Sequence, residues 1–207
     1  IETLLGYQPD LILAWYSGNN PWQLSTLEKL GLRIYRSEPG TLAALPQTLE
    51  KLGVLTGRTQ QANVAARRLR EKLHAIETRY AGREPVRAFY QVWHQPLYTV
   101  SGRHIISDVM RLCGLQNVFA AVGQLAPQVS EEAVLAADPE MIIAGQADAT
   151  AFARWHKWPQ LRAVAMNNLF LIDADLMQRH TGRMLQGAEQ LCDFAQQARE
   201  KKRGQTH

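Results

Sequence analysis

Residues Ile1–Trp15, IETLLGYQPDLILAW, return in outline as Glu131–Gly145, EEAVLAADPEMIIAG. Glu2 aligns with Glu132, Leu5 with Leu135, Pro9 with Pro139, Asp10 with Glu140, Ile12 with Ile142 and Ala14 with Ala144. Each copy reads as the end of an amphipathic helix, a proline–acid turn and a short strand of apolar residues only. Uninterrupted apolar strands beside helices indicate parallel sheets covered on both faces. Two copies so far apart in one chain predict two similar α/β lobes rather than a single sheet.

Outward from the first copy, helix and strand alternate. PWQLSTLEKLG (21–31) places Leu24, Leu27 and Leu30 at helical spacing before a glycine stop, LRIYRSE reads as a strand, and TLAALPQTLEKLG as a helix ended by Gly53. Thr59 to Tyr80 forms one long helical pattern, with Ala62, Ala66, Leu69, Leu73, Ile76 and Tyr80 stepping by three or four. At 1.5 Å per residue it runs about 33 Å, the width of a small domain. A helix that long with a single apolar stripe suits a spacer between two bodies. The expected division is therefore a first lobe over 1–56, a backbone helix over 57–83 and a second lobe over 84–207. Within the second lobe VRAFYQVW reads as a strand, PLYTVSG as a short strand and turn, and HIISDVMRLCG as a helix stopped by Gly114. Beyond the second repeat copy come TAFARWHKWPQL as a short helix broken by Pro159, NLFLID as a last strand, and a C-terminal helix from Thr181. Ile1 to Tyr7 reads as the tail of a helix, so the first lobe is expected to lack its opening segment.

Composition narrows the partners. The 207 residues are 46% apolar, enough for two small cores, and no run approaches the roughly 18 apolar residues a membrane helix needs. Of the formal charge of +4, the tail REKKRGQTH carries +3. That is a solvated helix end rather than the basic face of a nucleic-acid binder. No phosphate-cradling glycine loop and no nucleophile elbow is present. The histidines show no metal-type spacing, so neither a catalytic nor a metal site is expected. Cys113 and Cys192 leave three readings open: two inert thiols, one long-range disulfide, or a reactive thiol.

In parallel α/β sheets, ligands sit beyond the carboxyl ends of the strands. The residues at those positions are Trp15, Tyr16, Asn19 and Trp22 after the first strand, and Trp93, His94 and Tyr98 after VRAFYQV. Gln146 and Asp148 follow MIIAG, and Leu176, Met177, Arg179 and His180 follow NLFLID. Indole and phenol rings placed at strand ends make a flat apolar wall for a large planar ligand, with amides among them to meet polar rims.

These stretches carry a resemblance. QPDLILAWYSGN, GLRIYRSEP, APQVSEEAVLAADPEMII and the LCG…QLC cysteine pair resemble the helix-backbone (class III) periplasmic substrate-binding proteins of bacterial ABC uptake systems, in the group that takes cobalamin. The likeness extends over nearly the whole chain. It implies two α/β lobes joined by one long helix, a shallow cleft between them, and little closure on binding. The ligand expected is cobalamin or a related tetrapyrrole, with haem or a ferric siderophore as the alternative on the same scaffold. The resemblance further implies a periplasmic location, an ABC permease as protein partner, no bound cofactor and no enzyme activity. Trp15 takes the place of a tryptophan that lies against the corrin, while 93–98 and 175–179 match second-lobe contact regions. It also implies a Cys113–Cys192 disulfide. Two glutamates that face permease arginines in the family fall here at Pro21 and Gln178, and an aromatic near Leu176 is replaced by an aliphatic residue.

Overall fold

The computed structural model describes residues 1–145 and 149–204; Gln146, Asp148 and the last three residues of the basic tail lie outside the described residues. By packing, the chain divides into two units, Ile1–Pro39 and the remainder from Gly40.

The first unit contains α1 (Glu2–Gly6), β1 (Ile12–Trp15), α2 (Pro21–Lys29) and β2 (Ile34–Ser37). β1 and β2 pair in parallel, Ile12 opposite Ile34 and Trp15 opposite Ser37, with α2 as the crossover. Asn20 caps α2, its Oδ1 accepting from the Trp22 backbone N–H at 2.9 Å, and Pro21 supplies the preset φ of a first helical residue. Leu24 and Leu27 bury one face of α2, and Gly31, at φ 84°, ends it in the left-handed region.

The second unit opens with α3 (Ala44–Leu55) and α4 (Thr59–Tyr80). All six residues of the expected α4 stripe are buried or half-buried, whereas Val64 between them is exposed. Gly53 is not the end of α3, which runs two residues further to a left-handed Gly57 at φ 66°. The glycine at 53 serves packing instead: a Cβ there would overlap that of Ala62, so its absence lets α3 and α4 approach. Leu42 and Leu45 share a core with Leu73 and Ile76 of α4. The expected boundary after residue 56 thus does not coincide with the packing boundary, because α3 lies along α4.

Next come β3 (Val86–Gln91), β4 (Trp93–His94), β5 (Leu97–Tyr98), α5 (Ile105–Leu112), β6 (Leu115–Asn117), α6 (Glu131–Ala137) and β7 (Met141–Ala144). Two 3-10 turns, Ala149–Phe152 and Trp155–Lys157, replace the expected single helix before Pro159. The chain ends in α7 (Arg162–Ala165), β8 (Leu169–Leu171), α8 (Ala174–Met177) and α9 (Met184–Gly204). β6, β3, β7 and β8 form a parallel sheet in that order, so β3 and β7 are central strands.

The alternation of these strands separates two cores. Val86, Ala88, Tyr90, Met141 and Ile143 pack with α4, α5 and α9 on one face. Phe89, Ile142 and Ala144 pack with Val134, Phe152 and Trp155 on the other. Cys113 and Cys192 are bonded, joining the end of α5 to the middle of α9.

The repeat seen in the sequence is a repeat of conformation. Gln8 and Asp138, the residues before Pro9 and Pro139, both take left-handed φ, 47° and 40°. A following proline disfavours right-handed helix at these positions, and each helix ends there. The strands that follow differ. β7 is buried along its length, while in β1 only Ala14 is buried and Leu13 is 54% exposed. Covering on both faces therefore holds for β7 and not for β1, whose one paired neighbour among the described residues is β2.

Candidate functional site

In the first unit the chain leaves β1 through a tight turn, Trp15 to Asn20. The Asn19 N–H donates to the Trp15 carbonyl at 3.0 Å, and the Trp15 N–H donates to Asn19 Oδ1 at 2.6 Å. Tyr16 N–H donates to the Ser37 carbonyl at 3.3 Å, tying the turn to β2. Gly18 lies directly under the Trp15 indole, where any Cβ would overlap the six-membered ring. A backbone fastened this closely holds its rings outward: Trp15 is 48%, Tyr16 62% and Trp22 68% exposed. Asn19 is exposed too, but its side-chain oxygen is already committed to the turn.

In the second unit β3, β7 and β8 run parallel, so the segments after them emerge at one sheet edge. At about 4.8 Å per strand, the ends of β3 and β8 lie roughly 10 Å apart. After β3 the chain doubles back as the β4–β5 hairpin, with Trp93 opposite Tyr98 and His94 opposite Leu97. A cis Gln95–Pro96 bond forms the tip, and the Trp93 Nε1–H donates to the Gln95 carbonyl at 3.0 Å. The indole stands half out of the surface, with the His94 ring 5.5 Å away at a 30° tilt. Tyr98 and His94 are half-buried.

After β8, Asp173 caps α8 by accepting from the Asp175 N–H at 2.8 Å. Arg179 is exposed and pairs with Asp175 at 3.0 Å, and Leu176 is half-buried. Met177 requires a correction: it has no exposed surface and belongs to the sheet–α9 core, its sulfur lying where a Cβ on Gly187 would come within 2.7 Å. A side chain so enclosed supports the loop and offers no face to a ligand. His180 packs edge-on against His104, ring centroids 5.6 Å apart. Burial first, and the His180 imidazole second, push the His104 pKa down to about 4, which keeps it neutral so that Nδ1 can accept from the Ile106 N–H at 3.1 Å and cap α5. Pro21 is the first residue of α2, and Gln178 reaches the Gly145 carbonyl at 3.4 Å.

Each unit thus presents an exposed indole at or just beyond a strand's carboxyl end, with further aromatic and amide groups beside it. No group of three or more histidine, cysteine or carboxylate side chains suited to a metal ion occurs among the described residues. A profile of the periplasmic binding protein family matches residues 1–176. The chain belongs to the periplasmic binding protein family. A vitamin B12-binding protein of Vibrio cholerae serotype O1 is 35% identical over 195 residues, 94% of this chain and 71% of that protein. One from Photorhabdus laumondii is 36% identical over 195 residues, 93% of this chain and 69% of the relative. The crystal structure of periplasmic vitamin B12-binding protein BtuF of Vibrio cholerae superposes with a TM-score of 0.88 over 96% of this chain and 78% of that one, at 35% identity.

In this periplasmic binding protein, the ring-bearing residues are legible at strand ends, whereas the side chains that hold them are less so. Gln91, fully buried at the end of β3, accepts from Trp155 Nε1 at 2.8 Å and donates to the Ala151 carbonyl at 3.0 Å. Thr99 Oγ1 donates to the Tyr90 carbonyl at 2.8 Å, fixing the base of the hairpin. An amide closing the buried run Ala88–Tyr90 at the end of β3, as Gln91 does, was the available signal. Thr99 carries none, since its partner is a backbone carbonyl, which any residue could supply.

Proposed function

We propose that this protein captures a corrinoid, cobalamin before other tetrapyrroles, in the periplasm and delivers it to the permease of an ABC importer, by binding alone. The observation that carries the reading is the pair of exposed indoles, Trp15 at 48%, braced through its backbone N–H, and Trp93 at 50%, braced through its indole N–H. Exposed aromatic rings gathered around one turn, as Trp15, Tyr16 and Trp22 are, mark a binding surface where single ones do not. Covering one ring face stabilises by roughly 1.5–3 kcal/mol. Rings held in place before binding lose little entropy on binding, so affinity comes from surfaces already formed. Exposed Tyr16 and Gln95 and the Arg179 guanidinium supply polar groups suited to an amide-bearing macrocycle rim. The vitamin B12-binding relatives favour cobalamin among flat ligands, and the disulfide suits an oxidising compartment.

Equilibrium dialysis against cyanocobalamin and, separately, haemin tests this. The expected outcome is one retained cyanocobalamin per chain, with haemin retained weakly. Retention of haemin with a shifted Soret band that His94→Ala abolishes, and no retention of cyanocobalamin, would replace the corrinoid by haem.

A further inference from the structure

Arg154 lies in the link between the two 3-10 turns, on the segment after β7, yet its guanidinium reaches the hairpin after β3. Nη2 donates to the His94 backbone carbonyl at 2.8 Å, Nη1 lies 3.9 Å from a Glu131 carboxylate oxygen, and the guanidinium carbon is 6.0 Å from the Trp155 ring centroid. The anchoring partners are themselves fixed. Trp155 is fully buried and donates to Gln91, and Glu131 accepts from the Trp158 indole N–H. The hairpin that Arg154 reaches is very short, its Val92 N–H donating to the Tyr98 carbonyl at 2.9 Å. Such a hairpin is not stable by itself in water and depends on ties to its surroundings. Thr99 secures its base, and near the tip the Leu97 carbonyl, on the residue opposite His94, accepts from the Val129 N–H. Arg154 acts on the facing strand of the hairpin, at His94, the residue next to Trp93.

We propose that Arg154 is a positioning residue for the Trp93 ring: by holding the His94 carbonyl to the buried Trp155–Gln91 block, it fixes the direction in which the indole faces. The guanidinium is suited to this, since its several donors in one plane let it bond the carbonyl while keeping contact with Glu131 and the Trp155 face. The consequence for ligand affinity rests on the corrinoid reading above; the tether itself does not.

The test uses the whole chain with Arg154→Met, which keeps an apolar stem over Trp155 but removes the donors, and Arg154→Lys, which restores one. Without ligand, amide hydrogen exchange over residues 92–99 rises about tenfold in Arg154→Met, with β3 and β7 unchanged, and Arg154→Lys falls between it and the parent. With cyanocobalamin, Arg154→Met weakens binding about tenfold, and that loss disappears when the same change is made in a Trp93→Ala background. Unchanged exchange overturns the tether. A loss that persists in full beside Trp93→Ala overturns the role of Arg154 as acting through that ring. Should Arg154→Met not fold, Arg154→Gln carries the same two measurements. Should the parent not bind cyanocobalamin, the corrinoid reading falls, and the exchange experiment alone decides the tether.

Discussion

Trp15 shows how a single side chain depends on what its neighbours lack. Its indole lies over Gly18, and its backbone is closed onto Asn19 by two hydrogen bonds. Gly18→Ala should push the ring aside and weaken cyanocobalamin binding about tenfold, while the melting temperature moves little because the turn is exposed. Trp15→Ala should cost about 1.5–3 kcal/mol of binding free energy, read by titration calorimetry. That Trp15 and Trp93 project outward was legible in the sequence, from indoles placed just past strands. The burial of Met177 was not, because its enclosure comes from Gly187, a residue on α9 that nothing in the 175–179 loop announces.

Element by element, the fold follows periodicity and its punctuation. α4 buries the stripe its spacing defines, and Gly31 and Gly114 take left-handed φ at helix ends where stops were expected. Two departures share an origin. Gly53 and the short β6 are decided by contacts with Ala62 and with β3, which no local pattern encodes. α5 offers an elemental test in its cap. Neutral His104 accepts from the Ile106 N–H, and its pKa, pushed down to about 4 by burial and His180, sits below the ordinary histidine value. Between these two values the unfolded chain binds the proton more readily, so the stability is fully present above the unfolded value. It is lost as pH falls through that window toward about 4, on the order of 2–3 kcal/mol. His104→Asn, which caps without titrating there, should show a smaller fall in melting temperature between pH 7 and about 4.5 than the parent. Equal falls would remove the histidine from the account.

For the whole molecule, the doubled helix–turn–strand motif of 1–15 and 131–145 was the most informative reading, since it specified parallel α/β units before any contact was known. The left-handed residue before each proline gives that repeat a physical basis. Where the chain divides by packing was less legible, because the α3–α4 contact decides it. Cys113 and Cys192, 79 residues apart, close a large loop between α5 and α9. By chain entropy such a link contributes about 4–5 kcal/mol, and measured losses on removal run roughly 2–5 kcal/mol. Thiol counting in denaturant without reductant should therefore find none, and Cys113→Ser with Cys192→Ser should lower the urea midpoint without changing the fold. If braced, exposed indoles receive a corrinoid, tryptophan fluorescence should report it during titration with cyanocobalamin. Saturable quenching is expected at one ligand per chain, complete by about 10 μM and diminished in Trp15→Ala and in Trp93→Ala; fluorescence that stays unquenched at tens of micromolar ligand, after correction for absorption, would overturn the corrinoid reading.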